Sequence, residues 1–309
     1  MGQPVLSVRG LRKSFGDKVV VKDVSFDVCP GEIFGVLGPN GAGKTTAIRM
    51  IMGVMMPDQG EVNFRLNGKT GLLDKTKLGY LPEERGLYDN VKVIQTLIYL
   101  GELKGVSTAE AKKRALEWLE VMNLVEYAES KLEKLSKGMQ QKIQFIASVL
   151  HRPDLVLLDE PFSGLDPINQ DLFKELIRKL QGEGITILLS AHQMSVVEEL
   201  CNRIFLIDKG EEILYGTVQG IKDDYHQYSV NLSFTQGEAL HQFLTLLPEV
   251  KSLHITSEKA DFRISSSFDL NDFINQLTSY CHLERVVIQK PPLHEIFVNT
   301  VRERGMKNV

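Results

Sequence analysis

The sequence predicts an α/β protein built on a P-loop nucleotide-binding core, followed by a small α+β part of ferredoxin-like order. Three features point to it. A glycine-rich run, GPNGAGKTT from Gly38 to Thr46, sits between an apolar stretch (Ile33 to Leu37) and a helix-compatible segment (Ala47 to Met52). A second apolar stretch, Leu155 to Leu158, ends in Asp159 and Glu160, the pattern of a strand buried on both faces that ends at the ligand-bearing edge of a doubly wound sheet. After Gly220 the chain changes to short alternating runs and amphipathic segments in βαββαβ order.

The glycine-rich run carries phosphate chemistry. Gly38, Gly41 and Gly43 let the backbone curl, so that the run Gly38, Pro39, Asn40, Gly41, Ala42, Gly43, Lys44, Thr45 and Thr46 wraps a polyphosphate at a helix start, with the N–H groups of every residue but Pro39 available to face it. Lys44 reaches the β- and γ-phosphates, and Thr45 offers a hydroxyl to Mg²⁺. Asp159 is placed to hold Mg²⁺ through water, and Glu160 to polarise the attacking water. TILLSAH, Thr186 to His192, is another buried run whose final histidine is a candidate γ-phosphate contact. LSKGMQQK introduces a helix, Met139 to Leu150, and places Ser136 and Gly138 at its N-terminus as a second anion site. One chain cannot easily fold that site onto its own P-loop, whereas two chains packed head to tail can.

In these motifs the chain resembles the nucleotide-binding subunit of ABC transporters over about residues 5 to 220. In order stand a Walker A run (Gly38 to Thr46), a Q-loop region (Tyr80 to Gly86), a signature (Leu135 to Gln140), a Walker B run (Leu155 to Glu160), a D-loop (Ser163 to Asp166) and the H-loop histidine, His192. The resemblance implies ATP and Mg²⁺ as ligands, Phe15 as an aromatic stacked on adenine, a homodimer or heterodimer of ATPase subunits, and a separate transmembrane permease. Two departures stand out. The signature reads LSKGMQ where the family has LSGGQ, and the Q-loop glutamine is replaced in YLPEERGLY by Glu83 or Glu84. A carboxylate there can bind Mg²⁺ through oxygen, yet adds negative charge near an anionic phosphate. YLPEERGLY resembles a bacterial export subgroup of the sodium-efflux and antibiotic-resistance kind.

At 309 residues the chain is long enough for two domains, expected at 1–220 and 221–309, with a helical subdomain at about 88–150. In that subdomain, Val91 to Leu103 and Thr108 to Met122 have a helical apolar period, with Ser107 or Thr108 as N-cap. An exposed apolar groove beside the Glu83 to Asn90 loop is the expected permease-docking site. No apolar run approaches the ~20 residues of a membrane span, and MGQPVLSVRG carries no apolar h-region. The expectation is a cytoplasmic chain held peripherally on the membrane. Cys29, Cys201 and Cys281 are scattered and read as reduced thiols. A net charge of −4 provides no basic footprint for nucleic acid. The competing readings are a soluble ABC-type ATPase acting on nucleic acid or the ribosome, and a non-hydrolysing regulatory cassette. About ninety residues without heptads separate Lys44 from Ser136, too few for a long coiled-coil insertion. The intact Glu160 and His192 favour hydrolysis over a purely regulatory role.

Overall fold

The computed structural model describes residues 3–66, 69–71, 74–84 and 86–307. Arg85 of YLPEERGLY and the first two residues of the amino-terminal run lie outside them. The chain divides into two compact units, Met1–Thr217 and Val218–Val309.

In the first unit, β1 (Leu6–Phe15) and β2 (Lys18–Val28) form a hairpin, and β3 (Ile33–Leu37) runs through the glycine-rich turn into α1 (Lys44–Ile51). β4 (Gln59–Leu66), β5 (Lys69–Gly71) and β6 (Leu78–Leu81) follow. The helical region contains α2 (Val93–Leu103), α3 (Thr108–Val121) and α4 (Lys137–Val149). After it come β7 (Leu155–Asp159), α5 (Pro167–Gly182), β8 (Thr186–Ala191), α6 (Met194–Leu200), β9 (Arg203–Asp208) and β10 (Glu211–Thr217). One sheet has the order β2-β1-β4-β5; the other has the order β10-β9-β3-β8-β7-β6. The second is parallel from β9 to β6, with β10 added antiparallel at its edge. That crossover order explains the composition of β3, β7 and β8. Each is buried at every position, because a parallel strand covered on both faces has no side left for polar residues.

The registers set the functional edge. Leu37 pairs with Ala191 and Asp159 pairs with Ser190, so the C-terminal ends of β3, β7 and β8 finish level with one another. The two sheets share a core in which Phe26 lies 5.1 Å, ring centre to ring centre, from both Phe34 and Phe205. α3 starts where Ser107 accepts a hydrogen bond from the Glu110 amide, so Ser107 rather than Thr108 is the cap. α4 starts two residues earlier than the apolar pattern alone suggests, because Ser136 accepts from the Met139 amide and caps the turn ahead of it. α2 starts two residues later than expected, because Lys92 is extended and bridges Lys131.

The second unit holds α7 (Val218–Asp224), β11 (Gln227–Thr235), α8 (Leu240–Leu246), β12 (Val250–Ile255), β13 (Lys259–Ser265), α9 (Leu270–Leu277), β14 (His282–Gln289) and α10 (Leu293–Lys307). The strand order β12-β13-β11-β14, antiparallel throughout, is that of a ferredoxin-like sheet. Val230, Leu232 and Phe234 of β11 alternate onto one face and meet Leu240, Leu244, Phe273 and Leu277 of the two helices. α7 was not anticipated from the sequence; its seven residues carry too little periodicity to register.

Gly79 of β6 shows how closely the helical region sits on the parallel sheet. A Cβ there would lie 2.1 Å from the Ser148 carbonyl oxygen, a backbone atom that cannot swing away. Gly79→Ala is therefore expected to destabilise the first unit by roughly 3 kcal/mol, read as an earlier denaturant transition with unit 2 unchanged. An unaltered midpoint would show that β6 and α4 separate readily.

Candidate active site

The glycine-rich turn owes its shape to backbone that only glycine supplies. Gly38 has φ 156°, and a Cβ on it would fall 2.1 Å from the Ile207 carbonyl oxygen of β9. Gly43 has φ 109°, and its Cβ would stand 2.8 Å from the Val20 carbonyl oxygen. The turn encloses a cleft of about 210 Å³ lined by Val20, Asn40, Gly41, Ala42, Gly43, Lys44, Thr45, Thr46, Glu83 and Glu160. Lys44 is buried and donates to the carbonyl oxygens of Gly38 at 2.8 Å and Pro39 at 3.3 Å. Its ammonium also lies 3.4 Å from Glu160 Oε1.

The carboxylates are oriented from behind by a residue that the sequence reading passed over. Ser190 of β8 donates its hydroxyl to Asp159 Oδ1 at 2.5 Å and accepts the Glu160 amide at 2.9 Å. Its signal was a serine among apolar residues near the end of TILLSAH, one residue short of the strand end. Glu160 adopts φ 50°, a left-handed conformation that costs a non-glycine residue energy and recurs where geometry serves chemistry. Its Oε2 meets His192 Nδ1 at 2.7 Å. Lys44, Glu160 and His192 thus form one continuous contact chain across the ends of β3, β7 and β8.

Asp159 is wholly buried, and desolvation is the main reason its carboxyl is held above the usual range, opposed by the Ser190 hydrogen bond. Its Oδ2 has no hydrogen-bond partner among the described residues. An orphaned buried carboxylate oxygen, the Thr45 hydroxyl and the Glu83 carboxylate fit a hard divalent cation. Mg²⁺ usually takes one or two carboxylates and completes its shell with phosphate oxygens and water. Among the described residues no group of three or more His, Cys, Asp or Glu side chains forms an all-protein cage, which suits a metal that arrives with a phosphate.

The two glutamates of YLPEERGLY part company. Glu83 Oε2 accepts from Thr45 Oγ1 at 3.3 Å and lines the phosphate cleft, whereas Glu84 is largely exposed and faces Arg49 at 3.6 Å. Pro82 and Gly86, on either side of Glu83, line a different cavity, an apolar cleft of about 210 Å³ bounded by Tyr80, Leu87, Leu100, Leu103, Lys104, Gln144, Ala147, Ser148 and His151. One short loop therefore touches both cavities.

Four of the expected contacts stand apart from this chain's own phosphate cleft, and two of them, Ser136 and Gly138, are expected at the cleft of a second chain. Phe15 ends β1 half-exposed, and Val20 of the hairpin lines the cleft instead. Ser136 is the N-cap of α4, with Gly138 in the first turn. Asp166 caps α5, accepting from the Asn169 amide at 3.0 Å; hydrogen bonds from Asn169 hold its carboxyl below the usual range.

Two family models match the chain. The ABC transporter model covers residues 21–163, and the model described as ATP-binding protein DrrA1-3-like, C-terminal domain, covers residues 216–301. The chain is 39% identical to the uncharacterized ABC transporter ATP-binding protein YhaQ of Bacillus subtilis (strain 168), over 96% of this chain and 98% of that one. It is 36% identical to the Nod factor export ATP-binding protein I of Ralstonia nicotianae, over 79% of this chain and 76% of that one. A solved ATP-binding subunit of an ABC transporter matches with a TM-score of 0.66 at 31% identity, covering 72% of this chain and 93% of the other.

Glu83→Gln keeps the size and oxygen of the side chain but removes one negative charge beside the phosphate cleft. Steady-state ATP hydrolysis is expected to stay level or rise by up to about tenfold, the equivalent of ~1.4 kcal/mol. Complete loss of turnover would mean that the carboxylate itself is required.

Proposed function

The chain belongs to the family of ABC transporter ATP-binding proteins and is an ATPase of that family, and we propose that it drives export of a small solute through a separate membrane permease. Two copies, or one copy and a related chain, sandwich two nucleotides, each held between the glycine-rich turn of one chain and Ser136 and Gly138 of the other. The observation that carries this reading is the contact chain from Lys44 through Glu160 to His192, level with the glycine-rich turn.

In the hydrolysis step, Lys44 binds the β- and γ-phosphates, the turn's N–H groups orient them, and Glu160 takes the proton of the attacking water. The cleft neighbour His192 bonds Glu160 Oε2 and keeps that carboxylate aimed while its other ring nitrogen meets the γ-phosphate. Mg²⁺, held by Thr45, Asp159 and Glu83, supplies neutralisation of charge on the phosphate oxygens. Phe15 is assigned to the adenine, and Asp166 to the interface between the two ATPase chains. Outward transport is supported by the relative whose name records Nod factor export. The cargo, an ion such as sodium or an antibiotic-like molecule, is chosen by the membrane chains. No helix among the described residues is long and apolar enough to cross a membrane, which suits a division of labour between this chain and a permease. The apolar cleft beside Glu83 is assigned to the permease, with the ATPase chain held peripherally on the cytoplasmic face.

Glu160→Gln tests the arrangement. Hydrolysis should fall by about 10²–10⁴-fold while ATP binding persists, and the ATP-loaded variant should run as a dimer in size-exclusion chromatography. Purified with Mg·ATP from detergent-solubilised membranes, it should bring down a polytopic membrane protein in stoichiometric amount, identified by mass spectrometry. Normal turnover would remove Glu160 from the role of base. Recovery of ribosomal or DNA-bound partners alone would favour a soluble ATPase.

A further inference from the structure

The apolar cleft beside Glu83 contains a polar feature that neither the ATPase reaction nor the packing uses. Gln144 and His151, 4% and 8% exposed, line it, and each has a buried side-chain atom without a hydrogen-bond partner among the described residues: Gln144 Oε1 and His151 Nδ1. Native proteins rarely leave such atoms unpaired, since each costs about 1–3 kcal/mol.

The chemistry of His151 is determined by its other nitrogen. Nε2 lies 3.2 Å from the Leu78 carbonyl oxygen, which can only accept, so Nε2 carries the proton. Burial, aided by the nearby Lys104, pushes the imidazole down to about 4, so the ring is neutral near pH 7. Nδ1 is then a bare lone pair. The nearest cation in the lining, Lys104, is already committed, donating to the carbonyl oxygens of Lys75 and Leu78. Gln144, on α4 seven residues before His151, adds a second unfilled acceptor. Tyr80, Leu87, Leu100 and Leu103 also line the cleft, and Leu103 is 60% exposed. At about 210 Å³ the cleft exceeds the roughly 150 Å³ that holds a benzene ring.

We propose that this cleft recognises a hydrogen-bond donor presented by an apolar segment of the membrane partner, a hydroxyl or amide side chain seated on His151 Nδ1 and Gln144 Oε1 between apolar neighbours. The inference rests on the assignment of the cleft to the permease and adds the chemistry of what enters it. Apolar surface drives docking, and the two acceptors discriminate: a segment that brings only hydrocarbon leaves both unpaired, whereas a hydroxyl fills one of them and a primary amide, with two N–H hydrogens, fills both. A carboxylate-bearing segment is rejected by the same lone pairs.

The test uses full-length chain and the polytopic membrane protein that co-purifies with the Glu160→Gln variant. Leu103→Glu reports on docking itself, and His151→Phe, which keeps an aromatic ring but removes the lone pair, reports on donor recognition. For His151→Phe the expectation is at least a tenfold fall in recovered membrane protein, with a melting temperature equal to or above that of the parent, because an unpaired buried acceptor has been removed. Should His151→Phe fail to fold, Gln144→Leu removes the second acceptor and carries the same expectation. If Leu103→Glu leaves recovery unchanged, the docking assignment fails. If Leu103→Glu abolishes recovery while a folded His151→Phe or Gln144→Leu retains it in full, the cleft docks the partner but donor recognition is overturned.

Discussion

The hydroxyl of Ser190 is the interaction on which the catalytic edge depends. It donates to one carboxylate and accepts the amide of the next residue, and it does so because the parallel register pairs Asp159 with Ser190. A slip of one residue would turn every side chain of β7 to the opposite face and separate both groups from β8. The same pairing holds Glu160 in a left-handed conformation, which a single hydrogen bond to its amide helps to maintain. From there the sequence of contacts to His192 and Lys44 follows, so the geometry of the reacting edge is a consequence of strand registration in a fully buried sheet.

The electrostatics of that edge are unbalanced without a ligand. Asp159 is buried with one oxygen satisfied and one bare, Glu160 is buried against a single lysine, and Glu83 reaches in from a loop. Burial of carboxylates is costly unless cations or donors meet them. Lys44 answers part of the charge but spends two of its donors on the carbonyl oxygens of the turn it belongs to. The remaining deficit is what a phosphate-bound divalent cation would correct. Glu83, where the family has glutamine, adds a further carboxylate beside the phosphate cleft.

The fold class was legible because its signals are local: a glycine-rich turn between two apolar runs, carboxylates at a run's end, and a shift of period after Gly220. What was not legible depends on register and on distance in the chain. Ser190 lies 31 residues from Asp159, and nothing in TILLSAH distinguishes a catalytic support from a buried serine paired to backbone. Glu83 and Glu84 are chemically identical neighbours; only the exit direction of β6 sends the first to Thr45 and the second to Arg49. Val20 lines the cleft through the placement of a hairpin whose sequence reads simply as alternating strand. The caps Ser107 and Ser136 show the opposite case, in which a residue and the amide three positions on suffice to define the feature.

Two elements border the apolar cleft and also carry a residue expected to meet nucleotide. The first is the segment after β6, where Glu83 lines one cavity while Pro82 and Gly86 line the other. The second is α4, whose 13 residues span about 20 Å between the Ser136 cap and the end that presents Gln144 and leads to His151. Gly79 lets the backbone of that helix rest directly on β6, leaving no side chain between them to absorb motion. A well-packed contact of this kind transmits displacement instead of damping it. Ser136 and the Gln144 wall of the apolar cleft thus belong to one helix, and Glu83 and Pro82 to one strand end, so the apolar cleft shares backbone with both positions.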